Sequence, residues 1–225
     1  MCATPQDSGL LTTLGSVFFG GIASFLATLV AERLKRPVLE FAIDPPVDVT
    51  YPPQPVRPAT TARYLRVAVS NRPLPKGLGW LGRNAAIQCS GTIDFIDEST
   101  GVKVFPASMP IRWAGTPEPV PMTVVIGNHA GHIFDPSRFQ RDQLVDIANG
   151  ETRILDVAAQ FDNEAECYGW SNEAYASNPL WRNPARLLNP GRYLVEVTIA
   201  HPGEKSKIRL RLINIGTQPV LEKIT

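Results

Sequence analysis

The 225-residue chain has little of what most enzyme chemistry depends on. Its three cysteines, Cys2, Cys89 and Cys167, are odd in number and far apart, which excludes a disulfide framework or a CxxC metal site and fits a reducing compartment. Charge of one sign is missing too. The 22 Lys and Arg against 21 Asp and Glu leave a net charge of +1, so nothing global draws the chain to nucleic acid. There is no GxSxG, no GxxxxGK and no cysteine beside a plausible base, and Gly77, Gly79 and Gly82 fall in turn-rich sequence with no helix after them. The expectation is a chain that is not an enzyme and needs no cofactor.

Histidine is scarce as well. Of three, only His129 and His132 are near neighbours, in GNHAGHIFD, where Asp135 could add a third metal ligand. The spacing is not that of a zinc helix, which needs histidines four apart and a glutamate between them, and Gly131 argues for a loop. No metal is expected, and His129, His132 and Asp135 stand only as a weak candidate. Asp94, Asp97 and Glu98 approach one another at a strand end, where acids ordinarily serve solvation rather than a cation.

What the chain does have is a 22-residue run without a charge, residues 10–31 (LLTTLGSVFFGGIASFLATLVA). At 1.5 Å per residue it would rise about 33 Å, enough for the roughly 30 Å hydrocarbon core of a bilayer. The expectation is a single-pass transmembrane helix. Arg33, Lys35 and Arg36 flank it on one side only, which would put residues 1–9 outside the cell membrane and everything after Pro37 in the cytoplasm. Ser16, Gly20, Ser24 and Thr28 recur every four residues, a small-xxx-small face that suits self-association into a homo-oligomer.

Proline, at 21 residues, disfavours further long helices. Pro37 ends the first one, residues 38–43 suggest a short strand, and residues 44–58 carry six prolines in a stiff connection. From residue 61 on, period-2 alternation dominates. Leu65, Val67 and Val69 fall on one side of residues 64–70, with Tyr64, Arg66 and Ala68 opposite. Residues 86–97 place Ile87, Cys89, Gly91, Ile93 and Phe95 inward, which makes Cys89 a small core residue. Residues 153–161, 192–200 and 206–214 alternate in the same way, with Leu155, Val157, Ala159, Phe161; Tyr193, Val195, Val197, Ile199; and Ile208, Leu210, Leu212 inward. Shorter candidates lie at 102–105, 111–113, 122–126 and 144–147, with turn signals such as Asn149-Gly150 and Asn189-Pro190-Gly191 between runs.

Eight or so short strands and no second long helix predict an all-β sandwich, immunoglobulin-like or C2-like, over residues 61–225, behind a transmembrane helix at 10–31 and a juxtamembrane connection at 32–60. The segment NPGRYLVEV at 189–197 resembles the PGxYxLxV turn and strand of many immunoglobulin-like sandwiches. YLRVAVSN at 64–71 followed by GRNAAIQCSG at 82–91 is similar to prokaryotic single-pass membrane proteins that carry such a domain. That resemblance implies fold and tethering, and brings no catalytic residues with it.

One long loop stands out, CYGWSNEAYASNPLWRNP at 167–184. Trp170, Tyr175, Trp181 and Arg182 could bind a protein partner there, or the tryptophans could fold back and cap the sandwich. Lys205, Lys207, Arg209 and Arg211 alternate along the last long strand, facing either anionic headgroups or acids on neighbouring strands. The function expected from all this is a membrane-tethered, cytoplasmic interaction or scaffolding module. The alternative is a ligand- or partner-sensing membrane effector whose oligomerised helix perturbs the bilayer.

Overall fold

A 28-residue helix, α1 (Ser8–Lys35), opens the chain and stops ahead of Pro37. Among the described residues fourteen strands follow: β1 (Leu39–Tyr51), β2 (Thr60–Asn71), β3 (Ala86–Asp97), β4 (Met109–Pro110), β5 (Arg112–Trp113), β6 (Met122–Ile126), β7 (His129–Ile133), β8 (Val145–Ile147), β9 (Thr152–Phe161), β10 (Cys167–Gly169), β11 (Leu187–Leu188), β12 (Gly191–His201), β13 (Glu204–Asn214) and β14 (Val220–Lys223). This computed structural model describes the chain except residues 1–7, 54–58, 120–121, 128, 134, 136, 138–142, 163, 178–180, 217 and 225, and the side chains of residues 8–20, 122–123, 125, 130 and 132.

Two six-stranded antiparallel sheets carry the fold. One runs β1-β2-β9-β10-β11, with β5 also on β9; the other runs β14-β13-β12-β3-β4, with β8 also on β3. Their facing side chains make one core, Leu65, Val67, Val69, Leu155 and Val157 from the first sheet meeting Ile93, Phe95, Val195, Val197, Ile199, Leu210 and Leu212 from the second. The alternation seen in the sequence is what lines this core, because every second side chain of a strand points to the same face.

The pattern slips where the ladders do. Opposite β8 the register of β3 shifts between Ala86 and Cys89, and Gln88 takes φ 51°. This bulge buries Ala86 and leaves Ile87, expected inside, in solvent. A second irregularity, between Leu65 and Arg66 of β2 against β9, buries Tyr64 together with Leu65, although Tyr64 was expected outside. Gly91 is required by a close approach: a Cβ there would collide with the Thr198 carbonyl oxygen and lie 2.9 Å from Ile199 Cδ1.

The short strand expected at 38–43 runs on to Tyr51 and pairs with β2 along its length, bulging between Asp44 and Val47 around Pro45 and Pro46. An edge strand tolerates these prolines because one row of its N–H groups has no ladder partner, and they blunt the edge against stray pairing. The rest of the proline-rich connection, residues 54–58, lies outside the described residues.

The membrane-spanning expectation is corrected. Among the described residues no helix is long and apolar enough to cross a membrane. Assignment to the cell membrane, with the N-terminus outside and the sheets in the cytoplasm, rested on that span and goes with it. So does the reading of Arg33, Lys35 and Arg36 as membrane flanks. Lys35 lies 3.8 Å from Glu32, Arg36 lies 3.8 Å from Glu204 across the fold, and Arg33 is exposed. The helix end is bound to the sheets instead: Asn84 N–H donates to the Lys35 carbonyl at 2.7 Å and the Arg83 guanidinium to that of Arg36 at 2.7 Å.

Candidate functional site

The long loop turns its aromatics inward. Trp170, Tyr175 and Trp181 are buried with Ala62, Tyr64, Ala159, Phe161 and Ala174 in a second core at one end of the sheets. Its rings meet edge to face: Trp170 lies 5.3 Å from Tyr64 and 5.5 Å from Tyr175, and Trp181 lies 4.8 Å from Tyr51. The loop folds back because it is capped and tied at each turn. Ser171 Oγ accepts from Glu173 N–H at 3.3 Å to start the 3-10 turn Asn172–Ala176, and Arg186 holds Glu173 at 2.8 Å. Arg182 donates to Glu164 at 2.7 Å and Asp162 at 3.1 Å, with its guanidinium 4.6 Å above the Phe161 ring. Of the four candidate contact residues, the structure thus places three rings in a core and pairs the guanidinium of the fourth with acids of its own chain.

Beneath the aromatics lies a charged group that alternation alone did not reveal. Asp156 and Arg112 are both buried. Asp156 Oδ1 accepts from Arg66 Nε at 2.8 Å, and Oδ2 is 3.9 Å from Arg112 Nε. Arg112 also donates to the Trp113 carbonyl at 3.2 Å and Thr116 Oγ1 at 2.8 Å, and stacks 5.4 Å over Tyr175. Burial pushes the Asp156 carboxyl up, against the pull of Arg66 and Arg112. The signal was present in the sequence as an arginine inside a short apolar strand and an aspartate inside a long one.

Tyr51 and Tyr64 share a hydroxyl hydrogen bond of 2.7 Å above this group, and Tyr51 donates to Glu118 at 3.3 Å. Burial pushes Tyr51 up to about 12, and pushes Tyr64 and Tyr175 up as well, Tyr64 further for facing Tyr51, Tyr175 in spite of Arg112. These phenols hold their protons better folded than unfolded, where tyrosine titrates near 10. Their contribution to stability is thus complete below pH 10 and falls as pH rises through the folded values, by about 1.4 kcal/mol per pH unit for each tyrosine. In an alkaline titration, tyrosinate absorbance is expected to climb together with loss of β-sheet circular dichroism above pH 10. Ionisation of all five tyrosines near pH 10 with the sheets intact would contradict this packing.

The other expected sites are scattered. His129 is exposed on β7, the His132 side chain lies outside the described residues, and Asp135 accepts from the Ser137 hydroxyl at 2.6 Å and backbone N–H at 3.0 Å. Among the described residues no three His, Cys, Asp or Glu are grouped to hold a metal ion. Asp97 likewise turns on its own loop, accepting from Ser99 and Thr100, while Asp94 holds Lys103 and Ser108. On β13, Arg209 meets Glu196 at 2.7 Å and Arg211 meets Glu98 at 2.8 Å, so half of the basic stripe is engaged across strands. A polar cleft of about 170 Å³ between Asp48, Arg63, Gln160 and Asp162 has its charges paired, with Arg63 gripping Asp48 at 2.8 and 3.1 Å.

The small-residue face of α1 is described only in part. The side chains of Ser16 and Gly20 lie outside the described residues. Ser24 lends its carbonyl to Thr28 Oγ1 at 3.0 Å, so the Thr28 hydroxyl is satisfied within the helix. Large apolar side chains are what α1 exposes: Ile22, Phe25, Leu26, Leu29 and Val30 are 42–63% accessible, and Trp80, on the adjacent 3-10 turn Lys76–Leu81, is 82% accessible. Between helix and turn runs an apolar groove of about 390 Å³, lined by Leu26, Ala27, Val30, Ala31, Leu34, Trp80 and Leu81. Sequence reading gave Trp80 no role, since nothing in a GLGWLG turn distinguishes an exposed indole from a buried one.

The chain matches no known family model, and comparison with curated proteins and with solved structures finds no significant match.

Proposed function

We propose that this chain is a non-enzymatic interaction module, in which the two-sheet body holds the C-terminal half of α1 and Trp80 out as a docking surface for protein. The observation that supports this reading is the apolar surface itself. Six large side chains, each 42–82% in solvent, lie side by side on the helix and turn. They amount to on the order of 600 Å², the upper end of what a monomer leaves bare. Scattered single exposures are ordinary; a contiguous patch beside a preformed groove is the feature of an interface. The body suits the task of a scaffold because the helix end is fixed to it by the hydrogen bonds of residues 83 and 84.

Replacing Trp80 with a photo-crosslinking phenylalanine derivative in the full chain, expressed in cells, tests the reading. Irradiation is expected to give a discrete protein adduct that disappears when Val30→Glu is added. No protein adduct at position 80 would refute the interaction reading.

A further inference from the structure

Resting on that reading, we infer that the protein docked on α1 and Trp80 is a second copy of this chain, bound about a two-fold axis. Two arguments lead there. The first is composition. Interfaces between different proteins that also live apart are about as apolar as any other surface, whereas homodimer interfaces are more apolar and poor in charge. From Gly21 to Ala31 the helix has no charged residue, and the groove beside it is lined by apolar side chains alone.

The second is shape. A two-fold interface uses one patch twice, so the patch must complement itself. On α1 a ridge and a hollow lie on neighbouring arcs of the helix. At 100° per residue, Ile22, Phe25 and Leu29 form the ridge, spaced three and four apart in the manner of knobs. Leu26, Val30 and Leu34 with Trp80 form the hollow next to it. Pairing seats each ridge in the partner's hollow and covers the exposed indole. With on the order of 600 Å² from each copy, the buried total of roughly 1,200 Å² reaches the range of specific, stable interfaces.

Sedimentation equilibrium of the full chain at low micromolar concentration tests this. The wild type is expected at twice its 24.6 kDa mass, and Leu29→Arg and Val30→Arg each at the single mass with unchanged β-sheet circular dichroism. A Phe25→Cys, Val30→Cys double variant carrying Cys2→Ser, which sets a ridge thiol of one copy against a hollow thiol of the other, is expected to give a disulfide-linked dimer on mild oxidation, whatever the fate of the arginine variants. A wild type that stays monomeric, a dimer that survives both arginine substitutions, or a monomer that floats with phosphatidylcholine vesicles would overturn the second copy as occupant. The two readings fail separately: a position-80 adduct to a different protein, with a monomeric chain, leaves the interaction module standing and removes the dimer, while no adduct at all removes both.

Discussion

Asp156→Ala is expected to lower folding stability by about 3–5 kcal/mol, the cost of leaving a buried charge without its counter-ion. Arg66 and Arg112 reach into the space between β2, β5 and β9 and meet there on one carboxylate. With the carboxylate gone, Arg112 keeps Thr116 and the Trp113 carbonyl but has no negative charge within ion-pair distance among the described residues. In a domain of this length such a loss corresponds to a fall in Tm of roughly 10 °C. The ion group is not thereby a net source of stability. Burial pushes the Asp156 carboxyl up, so the carboxylate is held at a desolvation cost that the arginines only partly offset. The Arg66→Met, Arg112→Met, Asp156→Leu triple variant, which removes all three charges together, is therefore expected to lose less than Asp156→Ala alone. Thermal unfolding of both variants, with near-ultraviolet circular dichroism to report the aromatic core, checks the pair. Equal losses would mean that the charges are solvated and the triad is not closed.

Much of the two-sheet body was legible in the sequence because one physical rule governs it. A strand with one face on a core must alternate, and β2, β12 and β13 do so with few exceptions, whereas β9 is buried without a break from Leu155 to Phe161. What defeated the rule were local departures that composition does not encode. A bulge costs one residue and flips the phase, which is how Ala86 replaced Ile87 inside and Tyr64 joined Leu65. Prolines read as the end of order, yet Pro45 and Pro46 sit inside an edge strand, since only a ladder partner would have forbidden them. Where the candidate site residues lie was hidden for a related reason. Trp170, Trp181 and Arg182 look like a contact surface when counted by residue type, but burial depends on whether a loop's own caps and ion pairs can return it to the body. Glu164, Asp162 and Glu173, lying in or just before that loop, supply those ties. The expected membrane helix rests on a run of uncharged residues alone, and in the fold the charged residues just past that run, Lys35 and Arg36, have their carbonyls fastened to residues 84 and 83.

Trp170→Ala should be as damaging as the loss of Asp156, by a different route. Trp170 is fully buried, with Tyr64, Phe161 and Tyr175 all within 5.7 Å between ring centroids. Removing it opens a cavity where three aromatic neighbours each lose a face contact. Large-to-small changes of this kind cost about 3–5 kcal/mol, more where the surroundings cannot collapse. Collapse is hindered here, because Tyr64 is held by the Tyr51 hydroxyl on one side and Tyr175 by the Arg112 guanidinium on another. Trp170→Phe separates volume from polarity. Among the described residues the indole Nε1 has no hydrogen-bond partner, so phenylalanine gives up some contact area but also relieves an unsatisfied buried donor. Its loss is expected to be well under half that of alanine. Urea unfolding of the three proteins gives the order, and the m-value shows whether the end core opens with the rest. If alanine at position 170 cost no more than a surface change, about 0.5 kcal/mol, the indole would have to lie outside the fold, free to serve as a contact residue.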